Sequence, residues 1–189
     1  LEFLNEQVKV ISYWGREGEQ MVSNGNGMLN LRFPNGELME KGRFTNGKET
    51  GKWVYGYENG QIMSKGTYEN GKEIKKWTSW YEDGSKKSEL NYDNGDNIIW
   101  YQNGTKMMEG KLIDGEKGGV WDFWYEDGGK QMVANFQNGQ RHGLTTRWYT
   151  NGTKELEMEF SYGKQDGKAT WWHEDGSLDI TGNFKNDVQ

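Results

Sequence analysis

Seven short segments ending in glycine recur along this chain at nearly constant spacing. They are Phe33-Pro-Asn-Gly36, Tyr57-Glu-Asn-Gly60, Tyr81-Glu-Asp-Gly84, Tyr101-Gln-Asn-Gly104, Tyr125-Glu-Asp-Gly128, Tyr149-Thr-Asn-Gly152 and His173-Glu-Asp-Gly176, spaced by 24, 24, 20, 24, 24 and 24 residues. A second glycine series, Gly47, Gly71, Gly95, Gly115, Gly139 and Gly163, follows 11 residues behind the first. A fixed period of this length marks a tandem array, in which a unit cannot bury its apolar face alone and is stabilised by its neighbours. Two turns per period mean two strands per repeat. Residues 27–189 therefore read as seven tandem two-strand repeats in a single repeat domain, and residues 1–26 as a degenerate N-terminal unit or cap. In that unit Val8 to Trp14 and Glu19 to Val22 would flank a turn near Glu17-Gly18.

Asn-Gly and Asp-Gly favour type I′ hairpins, in which both central residues take positive φ. With Asp83-Gly84 as such a two-residue turn, Tyr81 faces Lys86, Ser79 faces Ser88, Trp77 faces Leu90 and Lys75 faces Tyr92. The same register sets Trp53 across from Gly66 and Trp121 across from Ala134. It also sets Phe44, Tyr68, Leu112, Phe136, Phe160 and Phe184 across from Gly27, Gly51, Gly95, Gly119, Gly143 and Gly167. A large apolar residue opposite a glycine is a stabilising cross-strand pair, and six of seven hairpins supply one. The Asn-Gly-Lys-x-x-Gly stretches, such as Asn46 to Gly51, read as the longer connections. The expected fold is all-β: an elongated, single-layer antiparallel meander of repeated hairpins with about 14 to 16 strands, its chain ends the least stable part.

Strand alternation then sorts the aromatics onto two faces. Trp53, Tyr55, Tyr57, Trp77, Tyr81, Trp121, Phe123 and Tyr125 form the packing face. Trp80, Trp100, Trp124, Trp148 and Trp172 form a ladder on the other, among Lys87, Glu89, Glu109, Asp122, Glu155 and Glu157, with Lys87, Met107, Gln131, Glu155 and Asp179 as cross-strand partners. These five tryptophans are the candidate partner-binding residues, since exposed indoles lead interface hot spots and stack on sugar rings.

Composition narrows the chemistry. With 23 basic and 29 acidic side chains the net charge is −6, which argues against nucleic acid or anionic lipid as partner. The aromatic share of 14% separates the chain from disordered sequences, and one proline against 28 glycines suits many hairpins. There is no cysteine for disulfides, thiolate metal sites or a thiol nucleophile. Two histidines exist, but His142 lies inside one copy of Gly-x-x-x-Gly and His173 replaces the repeated tyrosine, so the period explains both. The carboxylates Glu82-Asp83, Glu126-Asp127 and Glu174-Asp175 are turn residues, and no calcium loop is present. No catalytic residue, metal or cofactor is expected. No apolar run suits membrane insertion. The sequence starts at Leu1, not Met, so localisation stays open between the bacterial cytoplasm, the first choice, and the periplasm or cell surface after loss of a signal or lipid anchor.

Gly51 to Gly60 and Gly66 to Gly71 read Gly-x-Trp-x-Tyr-x-Tyr-x-Asn-Gly and Gly-x-Tyr-x-Asn-Gly, and on these residues the chain resembles the variant, second-type MORN repeat, from Gly27 to about Asn186. The departures are Lys75 and Lys76 for Gly-x, Thr145 and Ala169 for Trp, and His173 for Tyr. The bacterial chains that this arrangement is similar to are the YwqK-type antitoxin family. The resemblance implies a MORN-type β-solenoid and a non-enzymatic, monomeric protein-binding scaffold. Its most concrete form is an antitoxin or immunity protein that neutralises a partner toxin, and the charge of −6 suits a basic one. The alternative is a surface or periplasmic carbohydrate-binding module using the tryptophan ladder, since the Trp-Tyr pairs also resemble cell-wall choline-binding repeats.

Overall fold

The computed structural model describes residues 2–4 and 7–188. Leu1, Asn5, Glu6 and Gln189, at the limits of the expected terminal unit and last strand, lie outside the described residues. Every described element is a strand or a turn, with no helix among them. The chain forms two compact units, Leu1–Tyr92 and Asp93–Gln189. In the first, β1 (Glu2–Leu4) and β2 (Gln7–Lys9) form a separate hairpin. It is followed by β3 (Tyr13–Trp14), β4 (Gln20–Ser23), β5 (Asn26–Arg32), β6 (Leu38–Thr45), β7 (Lys48–Gly56), β8 (Ile62–Glu69), β9 (Lys72–Trp80) and β10 (Lys86–Asn91). The second unit contains β11 (Gly95–Trp100), β12 (Lys106–Ile113), β13 (Glu116–Trp124), β14 (Lys130–Gln137), β15 (Gln140–Trp148), β16 (Lys154–Ser161), β17 (Lys164–Trp172) and β18 (Leu178–Phe184). Within each unit the strands from β3 onward pair antiparallel in sequence order, the single-layer meander that the two-turn period requires. The stretch from Val8 to Trp14 is not one strand: β2 pairs with β1, and only Tyr13–Trp14 joins the meander, against β4.

The cross-strand pairs fall where the repeat puts them. Trp53 faces Gly66, Trp121 faces Ala134, and Gly27, Gly51, Gly95, Gly119, Gly143 and Gly167 each face the expected large residue. The turns are distributed the other way round. The first-series turns are three-residue loops: Gly84 N–H donates to Tyr81 O at 2.9 Å, and Tyr81 N–H to Ser85 O at 2.9 Å. Only the glycine takes positive φ there, and the carboxylate or amide before it accepts from the backbone two residues on, as Asp83 Oδ1 does from Ser85 N at 2.8 Å. That is a type I turn closed by a glycine bulge. The type I′ turns are in the second series, where both residues are left-handed, as at Asn46 (φ 52°) and Gly47 (φ 78°), except at the shortened Asn94-Gly95 turn, where only the glycine has positive φ. The Lys-x-x-Gly that follows is therefore strand and not loop: β7 starts at Lys48. A bulge absorbs the extra turn residue one step beyond the loop, so Lys86 faces Trp80 and not Tyr81, while Ser88 faces Ser79 and Leu90 faces Trp77 as expected.

One face of each sheet carries the core. In the first unit Val22, Leu29, Phe44, Trp53 and Trp77 are buried, with Tyr13, Tyr55 and Tyr68 packed against them. Phe44, Trp53, Tyr68 and Trp77 meet edge to face at centroid distances of 5.2, 5.8 and 4.9 Å, each such pair adding about 0.5–1.5 kcal/mol beyond area burial. The indoles cover glycines of the preceding strand, not their register partners. A Cβ added at Gly42 would strike the Trp53 ring, one at Gly66 the Trp77 ring and one at Gly110 the Trp121 ring. The shift of neighbour arises because β7 bulges against β6 beside Gly51 (φ 71°), swinging Trp53 back toward β6. Both long edges are also stitched from repeat to repeat. At one, second-series glycine N–H groups donate 22 residues back, as Gly139 does to Lys117 O at 3.0 Å. At the other, Tyr125 Oη–H donates to Trp148 O at 2.7 Å and Asn103 Nδ2–H to Glu126 O at 2.8 Å.

Candidate partner-binding surface

The five ladder tryptophans each end a strand, immediately before a three-residue loop. In the second unit Trp100, Trp124, Trp148 and Trp172 lie on β11, β13, β15 and β17, two strands apart along one sheet, so the sequence reading brings these four together. Trp80 ends β9 of the first unit. The carbonyls of Trp80, Trp124, Trp148 and Trp172 accept the hydroxyls of Tyr57, Tyr101, Tyr125 and Tyr149 at 3.1, 3.0, 2.7 and 2.9 Å, so each strand end is fixed by the repeat before it.

Two expectations need correction here. The cross-strand partners are not Lys87, Met107, Gln131, Glu155 and Asp179; the glycine bulge moves each by one residue, to Lys86, Lys106, Lys130, Lys154 and Leu178. The indoles are also not fully exposed. All five are half-buried, and at Trp80, Trp124 and Trp172 a lysine of the preceding repeat lies against the ring. Lys65 Nζ stands 5.1 Å from the Trp80 ring, Lys130 4.5 Å and Lys106 5.9 Å from Trp124, and Lys154 5.7 Å from Trp172. In the second unit this gives a row in which Lys106, Lys130 and Lys154 of β12, β14 and β16 fall between the tryptophans of β11, β13, β15 and β17.

Carboxylates neutralise that row. Lys106 pairs with Glu109 and Lys154 with Glu157, both at 2.6 Å, and Lys130 with Asp122. In the first unit Lys76 and Lys86 both donate to Glu89, and these hydrogen bonds hold its carboxyl below the usual range. Exposed pairs of this kind add little stability, with a median of about 0–1 kcal/mol each. Their effect is to fix the lysine heads beside the rings, giving a flat, aromatic and charge-balanced surface.

The histidines stand apart from this surface. His173 Nε2 is 3.5 Å from Asp179 on an exposed turn, and the His142 ring is 4.7 Å from Tyr162, with Nδ1 buried and unpartnered. No nucleophile accompanies either in these contacts. Among the described residues no three His, Cys, Asp or Glu side chains converge on a metal-sized site. One group that the sequence reading passed over is Lys117, 4.4 Å from Trp121 and 5.2 Å from Phe136, whose ammonium is lowered in pKa by burial and by Arg141. Its signal was the period: the position holds Glu49 and Glu73 in the first unit and Lys117 and Arg141 in the second.

No curated protein matches the chain. The family model of the MORN repeat variant matches residues 49–70, 75–94 and 165–186, which are the hairpins β7–β8, β9–β10 and β17–β18. MORN repeats are generally found in binding or scaffold proteins and are typically non-catalytic. The chain thus carries, on three of its hairpins, segments similar to a repeat of binding and scaffold proteins.

Proposed function

We propose that this chain is a non-enzymatic scaffold that binds a partner protein through the tryptophan face, with Trp80, Trp100, Trp124, Trp148 and Trp172 as the anchors. The carrying observation is the row of half-buried tryptophans that end β11, β13, β15 and β17, with lysine ammoniums against Trp124 and Trp172. Tryptophan is enriched among interface hot spots, and the paired lysines and carboxylates around it supply a polar surround of the kind found at interface rims. In its most concrete form the partner is a toxin and the chain its antitoxin, a reading supported by the resemblance to the YwqK-type family. The net charge of −6 would speed encounter with a basic partner. Carbohydrate stacking is the weaker reading, because Lys130 already lies over Trp124, where a sugar ring would have to lie.

Co-expression tests it. The product of the adjacent gene, expressed alone and with this chain, should arrest growth alone and be silent and co-purified when paired. Growth arrest that persists with both present would remove the antitoxin reading. A saturable quench of tryptophan fluorescence by cell-wall fragments would move the assignment to carbohydrate.

A further inference from the structure

The opposite, core-bearing face of the second unit holds a hollow of about 370 Å³ around Thr145, bounded by Met132, Leu156, Met158, Arg141 and Arg147. The repeat explains why it is there. Counting by the period, Thr145 stands where Trp53, Trp77 and Trp121 stand in other repeats, and each of those indoles covers a glycine of the preceding strand. The indole is also absent at Asn97 and at Ala169, and Ala169 faces the long side chain of Met158. Thr145 lies between Ala134 and the same Met158, and of these two partners only Met158 is large. Part of the volume an indole fills elsewhere is therefore open beside Thr145.

Two further observations say what belongs there. Thr145 Oγ1 is buried and has no hydrogen-bond partner, a group that ordinarily finds one. Thr145 lines the hollow, and its χ1 rotamers can offer the hydroxyl to an N–H donor placed there. On the rim the Arg141 guanidinium lies 5.3 Å over the Phe160 ring with Nη2 3.9 Å from Met132 Sδ, and it makes no ion pair among the described residues. Arg147 is paired with Glu155 at 3.2 Å. The hollow is apolar at its walls, is lined by the Thr145 side chain and has an unneutralised cation at its mouth. At this volume it sits at the lower end of the range for ligand sites, about 300–1,000 Å³.

We infer that this hollow takes the side chain of a tryptophan flanked by acidic residues, presented by a partner protein, so that a guest indole completes the repeat where the chain's own is absent. The indole body fills the space between Met132 and Met158, its N–H meets the Thr145 hydroxyl, and the neighbouring carboxylate meets Arg141. This goes beyond the tryptophan-row reading, concerns the opposite face and stands separately from it.

The test uses the full chain with ¹³C-methyl methionine, titrated with capped Glu-Trp-Glu, Glu-Ala-Glu and Lys-Trp-Lys peptides and with indole-3-acetate. Glu-Trp-Glu should move the Met132 and Met158 methyl signals upfield and saturably, through the ring current of the indole, while the other two peptides leave them in place. Thr145→Trp combined with Ala134→Gly, which restores the indole-over-glycine pair of the other repeats and fills the hollow from within, should abolish the shift without lowering the melting temperature. Arg141→Gln should weaken it by about tenfold, the scale of one charge-assisted contact. Should that double variant fold poorly, Thr145→Phe and Arg141→Gln carry the same comparison. Absence of a saturable shift, persistence of the shift in the filled variant, or equal binding of Lys-Trp-Lys would overturn the inference. Tighter binding of indole-3-acetate than of the peptide would overturn the protein partner in favour of a free indole carboxylate. None of these results bears on partner capture by the tryptophan row, which is read by co-purification.

Discussion

At the scale of single residues, backbone conformation and burial make the sharpest claims. Lys75 takes φ 58° at the repeat position where Gly51, Gly119, Gly143 and Gly167 also sit left-handed. A side chain in that region costs about 1–2 kcal/mol, so Lys75→Gly should raise the urea midpoint by roughly 1 kcal/mol of stability, less what the flexible glycine regains in the unfolded chain. Glu40 makes a claim about pH. Burial, and secondarily the Glu49 carboxylate, raise its pKa above the ordinary 4.5, so the folded state holds this proton more tightly than the unfolded one. Its charged form therefore subtracts stability as pH rises through and beyond that value. Glu40→Gln should stabilise the chain at pH 7, and the gain should vanish in melts below about pH 4; a gain that is constant with pH would contradict the assignment. The large-over-small pairs were legible in the sequence because the period repeats them. The neighbour each indole covers was not, since Trp53 over Gly42 depends on the bulge at Gly51, and spacing alone leaves that bulge unseen.

At the scale of elements, the turns teach the most. Asn-Gly occurs in both series, and the dipeptide alone does not tell a type I′ turn from a type I turn with a glycine bulge. What separates them is the residue two positions on. In the first series it is a backbone donor to the Asx side chain, as Gln61 N is to Asn59 Oδ1 at 2.9 Å; in the second the chain turns straight into Lys-x-x-Gly strand. The register survived the misread turn because the bulge returns the ladder to phase, yet the same bulge shifted every tryptophan partner to lysine or leucine. Asn35, Asn59, Asn103 and Asn151 use their amide to donate to the next first-series turn at 2.6–2.8 Å. Asp127 has no such donor. Asp127→Asn should add the bond to the Thr150 carbonyl while keeping Gly129 N as donor to its Oδ1, and stabilise by about 0.5–1.5 kcal/mol. Reversal of the effect in a denaturant melt would show that the loop cannot approach its neighbour.

At the scale of the whole molecule the repeat dictates where stability lies and where the proposed partner surface is presented. Terminal repeats have one neighbour, and β18 is exposed along most of its length, so its amides should exchange before those of β15, which is covered on both sides. Amide exchange followed by mass spectrometry reads this directly, and protection of β18 equal to that of β15 would contradict it. The all-β meander was legible because period, turn residues and alternation agree. The proposed partner surface was less so: the sequence places five tryptophans on one face, but the lysines set opposite four of them follow from bulges that only the folded backbone reveals. Trp121 and Trp124 stand three residues apart on β13 and are assigned different work, Trp121 to the core at 2% exposure and Trp124 to the partner. The decisive measurement is therefore partner recovery from the native organism together with melting temperature, on wild type, Trp121→Ala, Trp124→Ala and Trp148→Ala. The account predicts that Trp124→Ala and Trp148→Ala each weaken partner binding by about 1–3 kcal/mol with small shifts in melting temperature, while Trp121→Ala costs about 3–5 kcal/mol of stability. Equal recovery of partner by wild type, Trp124→Ala and Trp148→Ala would contradict it and return the tryptophan row to a purely structural role.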